Sequence, residues 1–318
     1  LSREDYIGHF KARLNINRMN YKIPPGLYAV GKPDQDSIVF VSANYKMSFD
    51  KLRSSLANLD AWILVLDTKG INVWCAAGKG TFGTEELISK IMVCELHNIV
   101  NHRKLIVPQL GAVGIAAHTI KKNTGFQVIY GPVRANDIKK FIEADYKATN
   151  DMRTVSFNLM DRVVLIPIEM VANLKITFYL LIIIPILLGI DQNIYSFKKF
   201  FLSFPYVFKY LILGFVSGTI LTPVLLPYIP GAMFAFKGLI TGTLVFAIFC
   251  LGDENLNLMT QLSLSLILLA VASYFAMNFT GSSTYTSISG VKKEMKIAIP
   301  LQGLLLITGV VSCIMYNF

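Results

Sequence analysis

Two kinds of hydrophobic patterning divide the chain. From Ile23 to about Glu169, short apolar segments alternate with segments whose apolar residues recur at helical spacing. The short segments predict strands at Leu27–Val30, Ser37–Val41, Ala61–Leu66, Lys104–Pro108, Phe126–Tyr130 and Val163–Ile168. The helical spacing predicts helices at Phe49–Ala57, Glu85–Val100, Val113–Lys122 and Asn136–Ala144. This alternation is typical of an open α/β sheet with helices on both faces, so we predict a Rossmann-like α/β domain for residues 1–170.

The second pattern begins after Asn173, where the apolar runs are too long for a soluble core. Five segments approach the roughly 20 residues that a helix needs to cross a bilayer, at about 172–190, 209–229, 231–251, 258–279 and 295–316. We therefore predict an α-helical membrane domain of five transmembrane helices for residues 171–318. These segments contain no Asp or Glu, and Lys237 is the base that lies well inside one. Because ion-coupled transporters need ionisable groups on their path, the spans are interpreted as an anchor.

Charges beside the spans predict the orientation. The first segment, LSREDYIGHFKARLN, lacks the apolar core of a signal peptide, so the domain after it is expected to stay in the cytoplasm. The turn GDENLN then falls outside and GVKKEMK inside, as the surplus of Lys and Arg on cytoplasmic segments requires. One loop disagrees, because Lys198, Lys199 and Lys209 would lie outside. The prediction is a multi-pass protein of the cell (inner) membrane with a cytoplasmic N-terminal domain.

Charge and cysteine content exclude several classes of function. The net charge of +10 agrees with the bias of cytoplasmic segments and does not indicate nucleic-acid binding. The cysteines Cys75, Cys94, Cys250 and Cys313 form no CxxC pair, so neither a disulfide framework nor a zinc site is predicted. They also cannot form the Cys-rich run that binds an iron–sulfur cluster.

The segment GKGTFG matches the pattern G-x-G-x-x-G and precedes a helix. It raises the alternative of a dinucleotide-binding membrane oxidoreductase that uses Gly78, Gly80 and Gly83. Two features oppose it. The glycines begin about a dozen residues after strand Ala61–Leu66 instead of in its turn, and no acidic residue ends the following strand.

A cysteine between Trp74 and Ala76 is most simply a small buried hydrophobe. Asn72, however, can cap a short helix that has Cys75 in its first turn, where the amide dipoles favour a thiolate. Two alanines and a glycine leave that helix with almost no side-chain bulk, so a large flat ligand can lie on it. No histidine is near Cys75 in the sequence, which leaves a cysteine hydrolase as a less favoured alternative.

The run from Asn72 to Lys79, NVWCAAGK, resembles the cap-helix signature of the corrinoid protein of the microbial mercury-methylation pair, N-V/I-W-C-A-A/G-G-K. The segments VSANYKMSFD, PQLGAVG, GPVRANDI and DRVVLIPIE are also similar to that family. More distantly, they resemble the large subunit of the corrinoid iron–sulfur protein of acetyl-CoA synthesis. A corrinoid domain followed by five spans is the family's architecture, so the resemblance covers essentially the whole chain.

The resemblance implies cobalamin or a related corrinoid as cofactor, with the Cys75 sulfur as the lower axial ligand of cobalt and as the catalytic residue. The implied reaction transfers a methyl group from methyl-Co(III) to Hg(II) and forms methylmercury. A thiolate donates more electron density than an imidazole, which favours transfer to a soft acceptor. The same cofactor leaves open a corrinoid methyl carrier of one-carbon metabolism.

The resemblance also implies partners and neighbours of the cofactor. The partners are a ferredoxin-like protein with two [4Fe–4S] clusters, a folate-type methyl-donor methyltransferase, Hg(II) and the membrane. Arg134 is expected to pair with a corrin amide or with the phosphate of the nucleotide tail. The residues expected around the corrinoid, by position, are Asn72, Val73, Trp74, Cys75, Ala76, Ala77, Gly78, Lys79, Gly80, Thr84, Ser42, Ala43, Asn44, Gly131, Pro132 and Arg134.

Overall fold

The computed structural model describes residues 1–191, 194–283 and 288–316. They form two compact units, Leu1–Ser156 and Phe157–Phe318. The domain boundary expected at residues 170/171 lies inside a helix, Ile166–Leu188, whereas the two units separate before that helix begins.

The elements of the first unit follow in chain order. They are α1 (Arg3–Arg13), β1 (Gly26–Val30), β2 (Ile38–Ala43), α2 (Lys46–Ser55), β3 (Ala61–Leu66), α3 (Val73–Lys79), α4 (Thr84–Val93), α5 (Leu96–Ile99), β4 (Lys104–Val107), α6 (Ala117–Thr124), β5 (Gln127–Tyr130), α7 (Ile138–Glu143) and α8 (Asn150–Arg153). Five of the expected strands are present, within one or two residues at their ends. The sixth, Val163–Ile168, is wrong because those residues are helical. A short apolar run does not distinguish strand from helix, and Pro167 fits the first turn of a helix.

The five strands form one mixed sheet in the order β1-β3-β2-β4-β5. β1 pairs antiparallel with β3, and the other neighbours are parallel. The α/β expectation is therefore confirmed, but the Rossmann-like arrangement is not. Numbered among themselves, the four parallel strands run 2-1-3-4, which is the beginning of the flavodoxin-like order.

Both faces of the sheet are buried, because alternate residues of each strand point to opposite sides. On one face Val41, Leu64 and Val107 pack with α3, α4 and α6. On the other, Phe40 and Ile63 pack with α2 and α7. Because β2, β3, β4 and β5 are parallel, their carboxyl ends lie at one edge of the sheet, and the two helix layers hold the sheet in place.

A cluster of charges holds α1 against α2. The Asp5 carboxylate caps α1 and accepts hydrogen bonds from Lys46 and Arg53, which also contact the buried Asp50. His9 makes a further contact with Asp50, at 2.9 Å. The hydrogen bond from Lys46, and then that from the Ser2 amide, hold the pKa of Asp5 well below its usual range.

The lowered pKa makes the contribution of Asp5 dependent on pH. Because the folded state favours the carboxylate, its contribution is complete above the unfolded pKa of about 3.9 and declines as pH falls towards the folded pKa. We expect Asp5→Asn to lower the free energy of unfolding by about 1–2 kcal/mol at pH 7 and by less below about pH 4. Denaturant titration followed by tryptophan fluorescence measures this, because both tryptophans lie in the first unit. An equal difference at pH 7 and pH 3 would contradict it.

The second unit is almost entirely helical. Its elements are α9 (Leu159–Val163), α10 (Ile166–Leu188), β6 (Ile190–Asp191), β7 (Ile194–Tyr195), α11 (Phe197–Val216), α12 (Thr222–Leu225), α13 (Phe234–Phe249), α14 (Leu258–Asn278) and α15 (Ile288–Met315). A π-helical segment, Ser217–Leu221, joins α11 to α12.

Four helices of the described residues are long and apolar enough to cross a membrane: Leu159–Leu188, Phe197–Leu225, Leu258–Gly281 and Ser289–Met315. The prediction of five spans is not confirmed, because the segment expected at 231–251 contains only the 16-residue helix α13. At 1.5 Å per residue that helix reaches about 24 Å, short of the ~30 Å hydrocarbon layer.

The interior of the second unit is more polar than the sequence indicates. Glu294, expected ahead of the last span, lies within α15, is 5% exposed and accepts a hydrogen bond from the Ala235 amide. The Lys237 ammonium donates to the carbonyls of Leu226 and Ile229. A carboxylate and an ammonium therefore satisfy the backbone at the break between α12 and α13, where intrahelical partners end.

Candidate functional site

The carboxyl ends of the parallel strands meet where the direction of strand order reverses. The chain passes from β2 to β3 on one side and places β4 on the other. In doubly wound sheets, ligands bind outside the strand ends at this reversal. Helix α3, which follows β3, packs against the 3-10 turn Gln109–Gly111 that follows β4. It therefore lies across the reversal point.

Helix α3 has two different sides. On the inner side, Ala76 and Ala77 are buried in the core. Trp74, Cys75 and Gly78 are exposed on the outer side. A Cβ at Gly78 would have no neighbouring atom within 4 Å. The outer side of α3 is therefore bare at Gly78, with the Cys75 thiol exposed beside it.

Both ends of α3 are capped. The Asn72 side chain accepts a hydrogen bond from the Cys75 amide at 2.9 Å, as the sequence predicts for an N-cap. Gly80 ends the helix in the left-handed conformation, with φ of 82°. Val73 is half-buried against the core, and Lys79 is exposed in the last turn. Cys75 is thus held in the first turn, on the solvent side.

Asn44 organises the loop that leads into α3. It is 2% exposed. Its Oδ1 accepts hydrogen bonds from the amides of Thr68 and Gly70, at 3.2 and 2.9 Å, and from the Thr68 hydroxyl, at 2.9 Å. Its Nδ2 donates to Asp67. All four contacts face the protein, so Asn44 positions the loop and does not itself line the surface.

The loop after β4 supports α3 from the other side. Thr84, at the start of α4, donates from its amide and hydroxyl to the Gly114 carbonyl and accepts from the Ala116 amide. A Cβ at Gly114 would lie 2.1 Å from the Phe82 carbonyl oxygen and 3.3 Å from Ala77 Cα. Thr84 therefore joins the two loops and, like Asn44, has its polar atom occupied.

Two residues of the β4 loop join the candidate site without having been predicted. The Gln109 Oε1 atom is buried and has no hydrogen-bond partner among the described residues. Val113 is 82% exposed. A polar residue just after a strand that ends at the reversal point is the signal that would have identified Gln109.

The remaining predicted residues lie away from the exposed surface. Ser42 and Ala43 are buried within β2. Gly131 and Pro132 are buried after β5. Arg134 donates to the Ser156 hydroxyl at 2.7 Å. β5 is three strand spacings, or about 14 Å, from β3. Gly131, Pro132 and Arg134, which follow β5, therefore lie at the far side of the sheet edge from α3.

The geometry does not favour the dinucleotide alternative. Gly80 is the C-cap of α3 and Gly83 precedes α4, so a whole helix separates the glycines from β3. A dinucleotide site needs them in the turn that directly follows the strand. In the part of the chain that the structure describes, no group of three or more His, Cys, Asp or Glu side chains forms a metal site.

Comparison with known proteins gives this site a family context. Residues 17–142, which include β1 to β5 and α3, match the family of the CO dehydrogenase/acetyl-CoA synthase delta subunit. Over these residues the first unit is similar to this family. The match supports the more distant of the two resemblances.

Individual proteins with the same type of similarity are also found. The gamma subunit of the acetyl-CoA decarbonylase/synthase complex of Archaeoglobus fulgidus is 30% identical over 131 residues, 41% of this chain and 27% of the relative. That of Methanopyrus kandleri is 29% identical over 126 residues, 39% and 27% of the two chains. The corrinoid/iron-sulfur protein large subunit of Moorella thermoacetica is 26% identical over 126 residues, which are 39% of this chain and 28% of the relative. The similarity thus spans little more than a quarter of each relative.

Proposed function

We propose that the first unit binds a corrinoid over α3 and that the chain is a membrane-anchored corrinoid protein that carries methyl groups. The observation that carries this proposal is the exposed Cys75 on the bare outer side of α3. Its support is twofold: residues 17–142 are similar to the family of the CO dehydrogenase/acetyl-CoA synthase delta subunit, and 126 residues of the chain are similar to the corrinoid/iron-sulfur protein large subunit of Moorella thermoacetica.

The residues at the sheet edge fit such a cofactor. A Cβ added at Gly78 or Gly80 would meet no atom within 4 Å, so neither position obstructs a flat macrocycle. Trp74 and Val113 are exposed apolar groups, suited to its hydrocarbon rim.

Each residue of α3 has a defined task in this proposal. When bound, the corrinoid supplies a cobalt that accepts a methyl group from one partner and releases it to another. The Cys75 sulfur would ligate that cobalt and donate electron density to it. The Asn72 cap holds the thiol in place, because it fixes the first turn of α3.

For the methyl acceptor we propose Hg(II), because a thiolate-supported cobalt favours transfer to a soft ion. The partners proposed with it are a ferredoxin-like protein with two [4Fe–4S] clusters and a folate-type methyltransferase. The second candidate is a methyl carrier of one-carbon metabolism, which the names of the acetyl-CoA complex relatives favour. The cell (inner) membrane, with the first unit in the cytoplasm, is the proposed location.

The corrinoid proposal is tested by the visible spectrum of the full chain reconstituted with cobalamin in nanodiscs. We expect bound corrinoid in the parent and a shifted spectrum in Cys75→Ala, because the sulfur ligand is lost. We expect no binding in Gly78→Leu, because a side chain fills the bare surface. Cys94→Ser, in the same unit but at the end of α4, is the control with an unchanged spectrum. Identical spectra for the parent and Cys75→Ala would contradict cobalt ligation.

The acceptor is tested separately in cells that contain the partner proteins. With Hg(II) as acceptor, methylmercury forms with the parent chain and falls to background with Cys75→Ala. If corrinoid binds but neither chain forms methylmercury, the one-carbon carrier is the better account.

A further inference from the structure

Helix α1 turns its apolar side away from the first unit. Its buried residues are Asp5 and Ala12, and Asp5 pairs with basic side chains of α2. The large apolar residues Tyr6, Ile7 and Phe10 are 63%, 45% and 64% exposed. A surface helix normally packs its apolar stripe on the core and leaves its charges in solvent, so the orientation of this helix is reversed. Ion pairs hold α1 in place and leave its apolar side exposed.

The exposed apolar residues of α1 form one surface. Residues three and four positions apart are neighbours on a helix, so Tyr6 and Ile7 both adjoin Phe10. Two more exposed apolar residues follow α1, Ile16 at 53% and Met19 at 60%. The Ile16 amide donates to a carbonyl in the last turn of α1 at 2.9 Å, which holds this segment against the end of the helix. Exposed apolar groups of this kind, bordered by polar residues, are typical of protein or membrane contacts.

Basic residues accompany this surface. Arg3 lies one turn before Tyr6, Lys11 directly follows Phe10, and both basic residues are exposed. Residues 1–22 contain five Lys or Arg and two Asp or Glu, so their formal net charge is +3. Helices that lie in the interfacial layer of a membrane combine large apolar residues with Lys and Arg, which attract anionic lipid phosphates. The charge of this segment therefore favours a lipid surface as its partner.

A bilayer is within reach of α1. The first unit ends at Ser156, and the first helix that is long and apolar enough to cross a membrane begins at Leu159. A chain advances at most about 3.6 Å per residue, so this connection spans no more than about 11 Å. The connection therefore keeps the first unit close to the surface of the bilayer that these helices cross.

We propose that α1 lies in the headgroup layer of this bilayer, with Tyr6, Ile7 and Phe10 between the lipids and with Arg3 and Lys11 against anionic phosphates. Tyrosine suits this layer because its ring is apolar and its hydroxyl can stay in water. Since α2 and α3 pack on opposite faces of the sheet, this contact leaves α3 open to soluble partners. The proposal rests on the four candidate spans and is independent of the corrinoid.

The contact is tested on the full chain in nanodiscs, with Cys75→Ala and Cys94→Ser. The other thiols, Cys250 and Cys313, are buried, so they are protected from labelling. An environment-sensitive fluorophore is attached at Ile7→Cys, and its quenching by a lipid with a shallow spin label is measured. We expect quenching of about twofold or more in discs that contain phosphatidylglycerol, and less in phosphatidylcholine alone or at high salt.

Matched positions and variants identify the residues responsible. The same fluorophore at Lys122→Cys, exposed on α6 and on the other face of the sheet, should be quenched little. Tyr6→Ser together with Phe10→Ser should remove most of the quenching at Ile7→Cys, because the apolar anchors are lost. Val93→Ser is the control: it removes a residue that is 73% exposed at the end of α4 and should change nothing. Circular dichroism checks that each variant keeps its helices.

Three results would overturn the proposal in whole or in part. Equal quenching at Ile7→Cys and Lys122→Cys in the anionic discs would mean that α1 does not contact lipid. A fluorophore at Ile7→Cys that is shielded from acrylamide but not quenched by the lipid would mean that protein covers α1. Quenching that is the same in phosphatidylcholine alone and at high salt would remove Arg3 and Lys11 from the contact. Because Cys75 is absent throughout, none of these results depends on the proposed function.

Discussion

Replacing Gly114 by alanine is expected to lower the free energy of unfolding of the first unit by about 3 kcal/mol, at the upper end of ordinary overpacking costs. The added Cβ would lie 2.1 Å from a backbone oxygen, that of Phe82, and 3.3 Å from Ala77 Cα. Neither atom is the end of a flexible side chain, so the loop and α3 must move apart. Since α3 carries Cys75, corrinoid affinity should fall together with stability.

Gly78 offers a matched control in the same site. A Cβ there meets nothing within 4 Å, and Gly78 lies inside α3. Gly78→Ala should therefore raise the free energy of unfolding by about 0.5–1 kcal/mol, because alanine favours a helix. It should still weaken corrinoid binding, because the methyl group projects from the bare surface. Denaturant titration by tryptophan fluorescence and corrinoid titration measure the two effects; stability loss equal to that of Gly114→Ala would contradict the geometry.

The sequence contains the elements of this site more clearly than their arrangement. The Asn72 cap and the first-turn position of Cys75 follow from local residue preferences, and the structure has both. Asn44 and Thr84 were expected beside the cofactor, but their polar atoms are used by loops distant in sequence. Long-range pairing of this kind leaves no periodic signal in the sequence.

In the second unit, too, the sequence predicts the individual helices better than the contacts between them. Hydropathy identifies four helices of sufficient length, because each is apolar over a whole span. It merges the short α13 with its flanks into a fifth span. It also misses that Glu294 and Lys237 are buried at a helix break, where they replace lost backbone partners. A window average cannot detect one ionisable side chain that satisfies a distant helix end.

Replacing Asn44 by alanine is expected to cost about 3–5 kcal/mol, comparable with the Gly114 substitution but by a different cause. The side chain is the acceptor for the amides of Thr68 and Gly70, both in buried residues. Alanine leaves those donors without a partner and releases the loop that starts α3. Ser42→Ala is the control. Ser42 is similarly buried in β2, and its hydroxyl donates a hydrogen bond to the adjacent carbonyl of Ala43. It should cost about 1 kcal/mol or less.

Asn44→Asp tests whether the amide donor matters as well as the acceptor. The introduced carboxyl keeps one acceptor oxygen but replaces Nδ2, which lies 3.1 Å from Asp67 Oδ1. The hydrogen bond from Lys69 lowers the pKa of Asp67, so two carboxylates would face each other near neutral pH. Repulsion and burial raise the folded pKa of the introduced group, so its penalty grows as pH rises from about 3.9 through that raised pKa. The free energy of unfolding of Asn44→Asp should therefore be closer to that of the parent at pH 5 than at pH 7. The difference between Asn44→Ala and the parent should not become smaller at pH 5. If the two variants changed with pH in the same way, the contact with Asp67 would contribute nothing.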